Sequence, residues 1–158
     1  MKKTLAELLI DRKVLADSLA DLNTRMHNAA VRDKDGAASE DLATLLGQFT
    51  ETAGQYSKID ATISKVNQVA KLVVGQDLTI ADAIAQRDLA KRLAAAFKAL
   101  QQRVSDPRGD DRWSRDAVQR VATMTVSDLQ AQVNTYAKEF RALDVAIQQA
   151  NWRTEVTL

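Results

Sequence analysis

Apolar residues recur in alternating steps of three and four through long stretches of this chain, and that spacing allows little except amphipathic α-helices packed along their length. From Thr4 to about Ala30 the series is Leu5, Leu8, Leu15, Leu19, Leu22, Met26 and Ala29, with Arg12 its one polar occupant. A second series runs Leu42, Leu45, Phe49, Thr52, Tyr56, Ile59, Ile63, Val66, Ala70 and Val73. It predicts a helix of about 30 residues, which at 1.5 Å per residue is roughly 45 Å long. The third passes through Ile80, Ile84, Leu89, Leu93, Ala96, Phe97, Leu100 and Val104, and the fourth through Leu129, Val133, Tyr136, Phe140, Leu143, Ile147 and Ala150. Only one proline, Pro107, and five glycines interrupt 158 residues. Sheet-rich folds need more turn residues than that.

The breaks between seams carry turn and capping chemistry. Residues 31–39 combine Asp, Gly and Ser, with Ser39 a candidate N-cap for the second helix. Val74-Gly75-Gln76-Asp77-Leu78 makes a short connection that could hold a brief extended pair but not a sheet. Thr79 with Asp82 reads as a capping box, and Ser127 with Gln130 as another. The clearest loop starts at Ser105, and residues 105–126 separate the third helix from the fourth. Adjacent seams joined by short loops fold back antiparallel. The expected fold is therefore all-α: one helical domain over 1–158, an antiparallel bundle of two long α-hairpins (1–75 and 76–158) with coiled-coil packing. No repeat of 20–50 residues supports a solenoid.

Composition narrows the function classes. Lys and Arg number 22 against 21 Asp and Glu, and each half of the chain is as balanced as the whole, so neither is a basic nucleic-acid footprint. Cysteine is absent, which removes disulfides, thiolate catalysis and Cys-ligated zinc. The basic start, Lys2-Lys3, is followed too soon by Glu7 and Asp11 for a signal-peptide core, and no stretch reaches the ~18 apolar residues of a membrane span. Cytoplasm is the expected compartment.

The residues of the second half resemble a known group. Asp77-Leu78-Thr79-Ile80-Ala81-Asp82-Ala83-Ile84-Ala85-Gln86-Arg87-Asp88-Leu89 is similar to the "G-x-T-L-x-D-A-L-A-x-R-D" stretch of the septicolysin-like family of small helical bacterial proteins. Arg112-Trp113-Ser114-Arg115 resembles that family's "R-Y-S-R", and Asn151-Trp152-Arg153-Thr154 its "N-W-x-T" ending. Before residue 77 the match weakens: Val66-Asn67-Gln68 keeps part of "I-N-x-T-N", and residues 32–41 lack a glutamate-proline stretch. The family name implies a membrane-acting pore former, and the resemblance carries over no catalytic residues.

The chemistry-bearing residues point away from catalysis. His27 stands alone, at the expected end of the first helix, where a cation suits the helix terminus. Asp33/Asp35 and Asp110-Asp111 lack calcium-loop spacing, and Arg108-Gly109-Asp110 reads as plain loop polarity. No phosphate-binding glycine run or nucleophile elbow occurs. Arginines 103, 108, 112, 115 and 120 surround Trp113 but are opposed by four aspartates, which favours packing within the protein over single-stranded nucleic acid. The candidate functional or interface residues are thus Arg87, Asp88, Arg112, Trp113, Arg115, Asn151 and Trp152, with no catalytic, cofactor or metal ligand among them. A non-enzymatic helical module that self-assembles, a homo-oligomer through its seams, is the leading expectation. A pore former, whose helices would carry fewer charges than these, and an enzyme with an Asp/Arg site at an interface are the alternatives.

Overall fold

The computed structural model describes residues 2–31, 36, 40–107 and 121–157. The chain is all-α, built on two long helical hairpins. In order along the chain come β1 (Lys2–Thr4), α1 (Leu5–Ala29), α2 (Leu42–Val69), α3 (Ile80–Ser105), α4 (Val126–Arg153) and β2 (Glu155–Thr157). The contacts resolve into two compact units, Met1–Ala70 with Gln149–Leu158, and Lys71–Gln148.

In the first unit α1 starts where Thr4 and Glu7 close a reciprocal capping box. The Thr4 hydroxyl oxygen accepts from the Glu7 amide at 3.2 Å, and the Glu7 carboxylate accepts from the Thr4 amide at 2.6 Å. At the other end His27 Nδ1 lies 2.7 Å from the Asn23 carbonyl, in the last turn as expected. The start of α2 corrects the sequence expectation. Its N-cap is Asp41, whose carboxylate accepts from the Thr44 amide at 2.9 Å, and not Ser39. Aspartate is among the strongest N-caps, and its position one residue before the apolar series leaves Leu42 and Leu45 in phase with the seam.

Arg12 faces Asp60 on α2, and Arg25, near the end of α1, faces Glu40 just before the start of α2, so the pair is antiparallel. Leu5, Leu8, Leu22, Leu45 and Ile63 are buried. The middle of the seam, including Leu15, Leu19, Phe49 and Tyr56, is only half-buried. The first unit also holds a feature with no sequence signal, a two-stranded antiparallel ribbon in which Lys2 pairs with Thr157, Lys3 with Val156 and Thr4 with Glu155. The Leu5 amide donates to the Thr154 carbonyl at 2.9 Å, which carries the pairing into the first turn of α1.

In the second unit the helical path of α2 has already ended at Val69, short of Val73. The chain turns through Gly75 at φ +87°, a left-handed conformation that favours glycine. Lys71 forms a single antiparallel bridge with Thr79, and the Leu72 amide donates to the Leu78 carbonyl at 2.9 Å. The expected Thr79/Asp82 box is present, with the Asp82 amide donating to the Thr79 hydroxyl at 3.1 Å. For α4 the expectation moves by two residues. The Thr125 hydroxyl accepts from the Asp128 amide at 3.0 Å and donates to its carboxylate, so Thr125 and Asp128 do what Ser127 and Gln130 were expected to do. Thr125 precedes a first turn in which Leu129 is already buried.

The third and fourth helices are also antiparallel: Arg87 meets Asp144, Phe97 stacks on Tyr136 with ring centroids 5.7 Å apart, and Gln101 bonds Gln130. Coverage of the α3 seam is incomplete. Leu89 and Leu100, which the periodicity assigns to a packed face, keep 56% and 51% of their surface exposed.

The capping and ion-paired carboxylates make the fold sensitive to acid. Hydrogen bonds from the Thr4 backbone and then its hydroxyl lower the pKa of Glu7, and the Thr79 hydroxyl and then its backbone lower that of Asp82. Asp41 is lowered by the Thr44 hydroxyl and amide, and Glu40 by the Arg25 guanidinium. A carboxyl whose folded pKa lies below its unfolded value stabilises the fold above the unfolded pKa, about 4, and that contribution disappears as pH falls through the lower folded value. The thermal midpoint followed by circular dichroism should be flat from about pH 6 to pH 8 and fall steadily below about pH 4. Glu7→Gln with Asp82→Asn should shrink that fall.

Candidate functional site

Among the expected site residues the fold brings Arg87 and Asp88 together, and it adds two groups from α4. The Thr79/Asp82 box fixes the start of α3 and so places position 87 two turns into the helix, on the side that α4 covers. The guanidinium of Arg87 donates to Asp88 through Nε at 3.0 Å and Nη2 at 2.9 Å, and through Nη1 to Asp144 at 3.4 Å. Gln148, one turn beyond Asp144 on α4, donates to the other Asp144 oxygen at 2.9 Å. The Arg87 side chain is 26% exposed, against 49% for Asp88 and 33% for Asp144.

This arrangement is an electrostatic tie between two helices. A guanidinium that already serves two carboxylates has its positive charge neutralised, so it is poorly placed to capture an anionic ligand. The first hairpin contains a similar tie: Arg12 Nη1 donates to Asp60 Oδ1 at 2.9 Å. Sequence reasoning saw Arg12 as a charged intruder in an apolar series, but its partner lies on another helix, and no local pattern names it.

Asn151 is half-buried and Trp152 is 60% exposed, both in the last turn of α4. These two belong to the first unit and Arg87 and Asp88 to the second. Arg112, Trp113 and Arg115 lie outside the described residues, as do the acidic pairs Asp33/Asp35 and Asp110-Asp111. On α2, the Asn67 side-chain oxygen is buried without a hydrogen-bond partner, a site the sequence marked only as a partial motif match.

Two concave regions accompany these residues. In the first unit an open groove of about 610 Å³ runs between α1 and α2, lined by Asp17, Asp21 and Arg25 on one side and Gln48 and Thr52 on the other. Arg25 is committed there to Glu40 and Asp21, and both pairings raise its pKa. In the second unit a cleft of about 400 Å³ lies between the end of α3 and residues 121–123, lined by Leu100, Val104, Pro107 and Val121. Among the described residues no group of three or more His, Cys, Asp or Glu is placed to hold a metal ion, and no helix is long and apolar enough to cross a membrane.

If Arg87 is a tie, its contribution is one of stability and coupling. Arg87→Met and Asp144→Asn should each lower stability by about 1 kcal/mol, and a double-mutant cycle in urea should give a coupling of about 0.5–1 kcal/mol for this half-exposed pair. Strict additivity would show that the two groups do not act on each other.

Comparison with known proteins supports this fold. A model describing a family of unknown function, DUF6847, matches residues 12–156. The crystal structure of a functionally unknown conserved protein from Corynebacterium diphtheriae superposes with a TM-score of 0.87 at 27% sequence identity, covering 99% of this chain and 100% of that one. No curated protein matches the sequence.

Proposed function

The chain belongs to the DUF6847 family, and from that premise we propose that it works as a non-catalytic helical module that assembles with further copies of itself in the cytoplasm. The observation that carries this reading is the open seam. Leu89 and Leu100 occupy one face of α3 and expose about half their surface, where a packed heptad face should be covered. On α1, Ile10 and Val14 add a second pair of exposed apolar side chains one turn apart. Trp152 supports the same reading, because exposed tryptophans are frequent interface anchors. The charged clusters support it from the other side: Arg87 and Arg12 are each engaged by a carboxylate of the facing helix, and Arg25 by Asp21 and Glu40, which suits holding the hairpins together better than binding or transforming a ligand.

Sedimentation equilibrium at micromolar concentration provides the test. The expected mass is at least twice the 17.4 kDa of one chain, and Leu89→Gln with Leu100→Gln should lower it while helicity is retained. A monomeric mass for the unaltered protein would refute the proposal. The resemblance to septicolysin-like proteins supplies the competing reading, and release of dye from liposomes at submicromolar protein would favour it.

A further inference from the structure

The two hairpins share one plan, residue by residue. Adding 75 to positions of the first helix carries Thr4, Ala6, Glu7 and Arg12 onto Thr79, Ala81, Asp82 and Arg87: a capping box and, eight residues after its threonine, an arginine. Adding 84 to positions of the second helix carries the cap Asp41 onto Thr125 and Asp60 onto Asp144, the carboxylates that take those arginines. It also carries Asn67 onto Asn151. Burial follows the same correspondence: Leu5 and Ile80, Leu45 and Leu129, Ile63 and Ile147, and Leu72 and Val156 are all buried. Both second helices are 28 residues long. The change of offset is accounted for by the segments between the helices, 30–41 in one half and 106–125 in the other, with one extra residue in α3.

The segments flanking the helices obey the same rule. Each half has an inbound segment before its first helix (2–4, a strand, and 77–79) and an outbound segment after its second (71–73, and 155–157, a strand), the central pair 71–73 and 77–79 being joined by a single bridge. The bridge between Lys71 and Thr79 then corresponds to the pairing of Glu155 with Thr4, and the bond from Leu72 to Leu78 to the pairing of Val156 with Lys3. At both joints the outbound segment of one half meets the inbound segment of the other. An ion pair sits at equivalent positions with its signs exchanged, Lys71 with Asp77 at 3.7 Å and Glu155 with Lys2 at 3.3 Å. Pairing each half's outbound segment with its own inbound segment would set Lys71 against Lys2 and Glu155 against Asp77.

We propose that the chain is a tandem duplication of one helical-hairpin module whose binding partner is the other copy: each outbound segment recognises the other copy's inbound segment, and the reversed ion pairs select the correct pairing. The central joint is then a binding interface in its own right and does not depend on the covalent link through Val74, Gly75 and Gln76. This association is internal to the chain and stands apart from any self-assembly of whole chains.

The test uses the full-length protein, with a specific protease site replacing Val74–Gln76, folded and then cut. Hydrogen exchange at the Leu72 amide is the readout. It should remain protected after cutting, lose about two- to five-fold of its protection with Lys71→Glu, and regain it with Lys71→Glu and Asp77→Lys together, which copies the polarity of the other joint. A Leu72 amide that exchanges as free coil once the link is cut, or a double variant no better than the single one, overturns the proposal. A circular permutant guards against a cut chain that falls apart for other reasons. It joins Thr157 to Lys2 through Val-Gly-Gln, the link that serves the central joint, and opens between Gly75 and Gln76. It should match the parent's helicity and melt within about 5 °C of it. A permutant that folds only with a longer link shows that the joints are not equivalent and overturns the duplication.

Discussion

A pair of antiparallel helices can bury only one stripe of each, and the rest of this protein follows from that limit. Along α1 and α2 the stripe is well covered near Leu5, Leu8, Leu22, Leu45 and Ile63, and half open between them. Each fully buried leucine or isoleucine contributes roughly 1.5–3 kcal/mol by leaving water, so a few such positions can hold a hairpin whose middle is loosely covered. The same limit leaves Leu89 and Leu100 open on α3, and it is why an apolar pattern in this protein measures the capacity for packing more than packing achieved.

With so little core per helix, the helix ends and the interhelical charges carry the specification. Three of the helices open on threonine with an acid three residues later, at Thr4, Thr79 and Thr125, and α2 opens on Asp41. A cap fixes where a helix starts, and therefore the phase in which every later side chain meets its neighbour. The arginine ties then act at one register only: Arg12 reaches Asp60 and Arg87 reaches Asp144 because both helices of each pair begin where they do. Such half-exposed pairs add little stability. Their value lies in excluding slipped alignments of two otherwise similar apolar stripes.

Much of this was legible locally. Each helix is announced by its own three-four spacing, and Thr79 with Asp82 names the start of α3, because a helix and its cap are made by residues within a few positions of one another. Where several polar residues stand close together the choice of cap was not legible: Ser39 and Ser127 were expected, whereas the helices start on Asp41 and Thr125, each four residues before a buried leucine, Leu45 and Leu129. For the candidate site, Arg87 and Asp88 were visible as neighbours on one helix, while Asp144 and Gln148 were not visible as their partners.

By itself, then, the sequence determined that the chain is helical, where its helices run, and that they double back on one another, since periodicity, propensity and breakers act over a few residues. Tertiary structure alone decided which carboxylate each arginine meets, which parts of each seam are covered, and that residues 2–4 and 155–157 form a ribbon. Three-residue strands have no period to read, and a pair separated by 153 positions leaves no local trace. The kinship of the two hairpins was hidden for the same reason: most surface positions of a helix can vary freely, so the shared plan survives in the caps, the ties and the buried positions, whose roles appear only once the helices are packed.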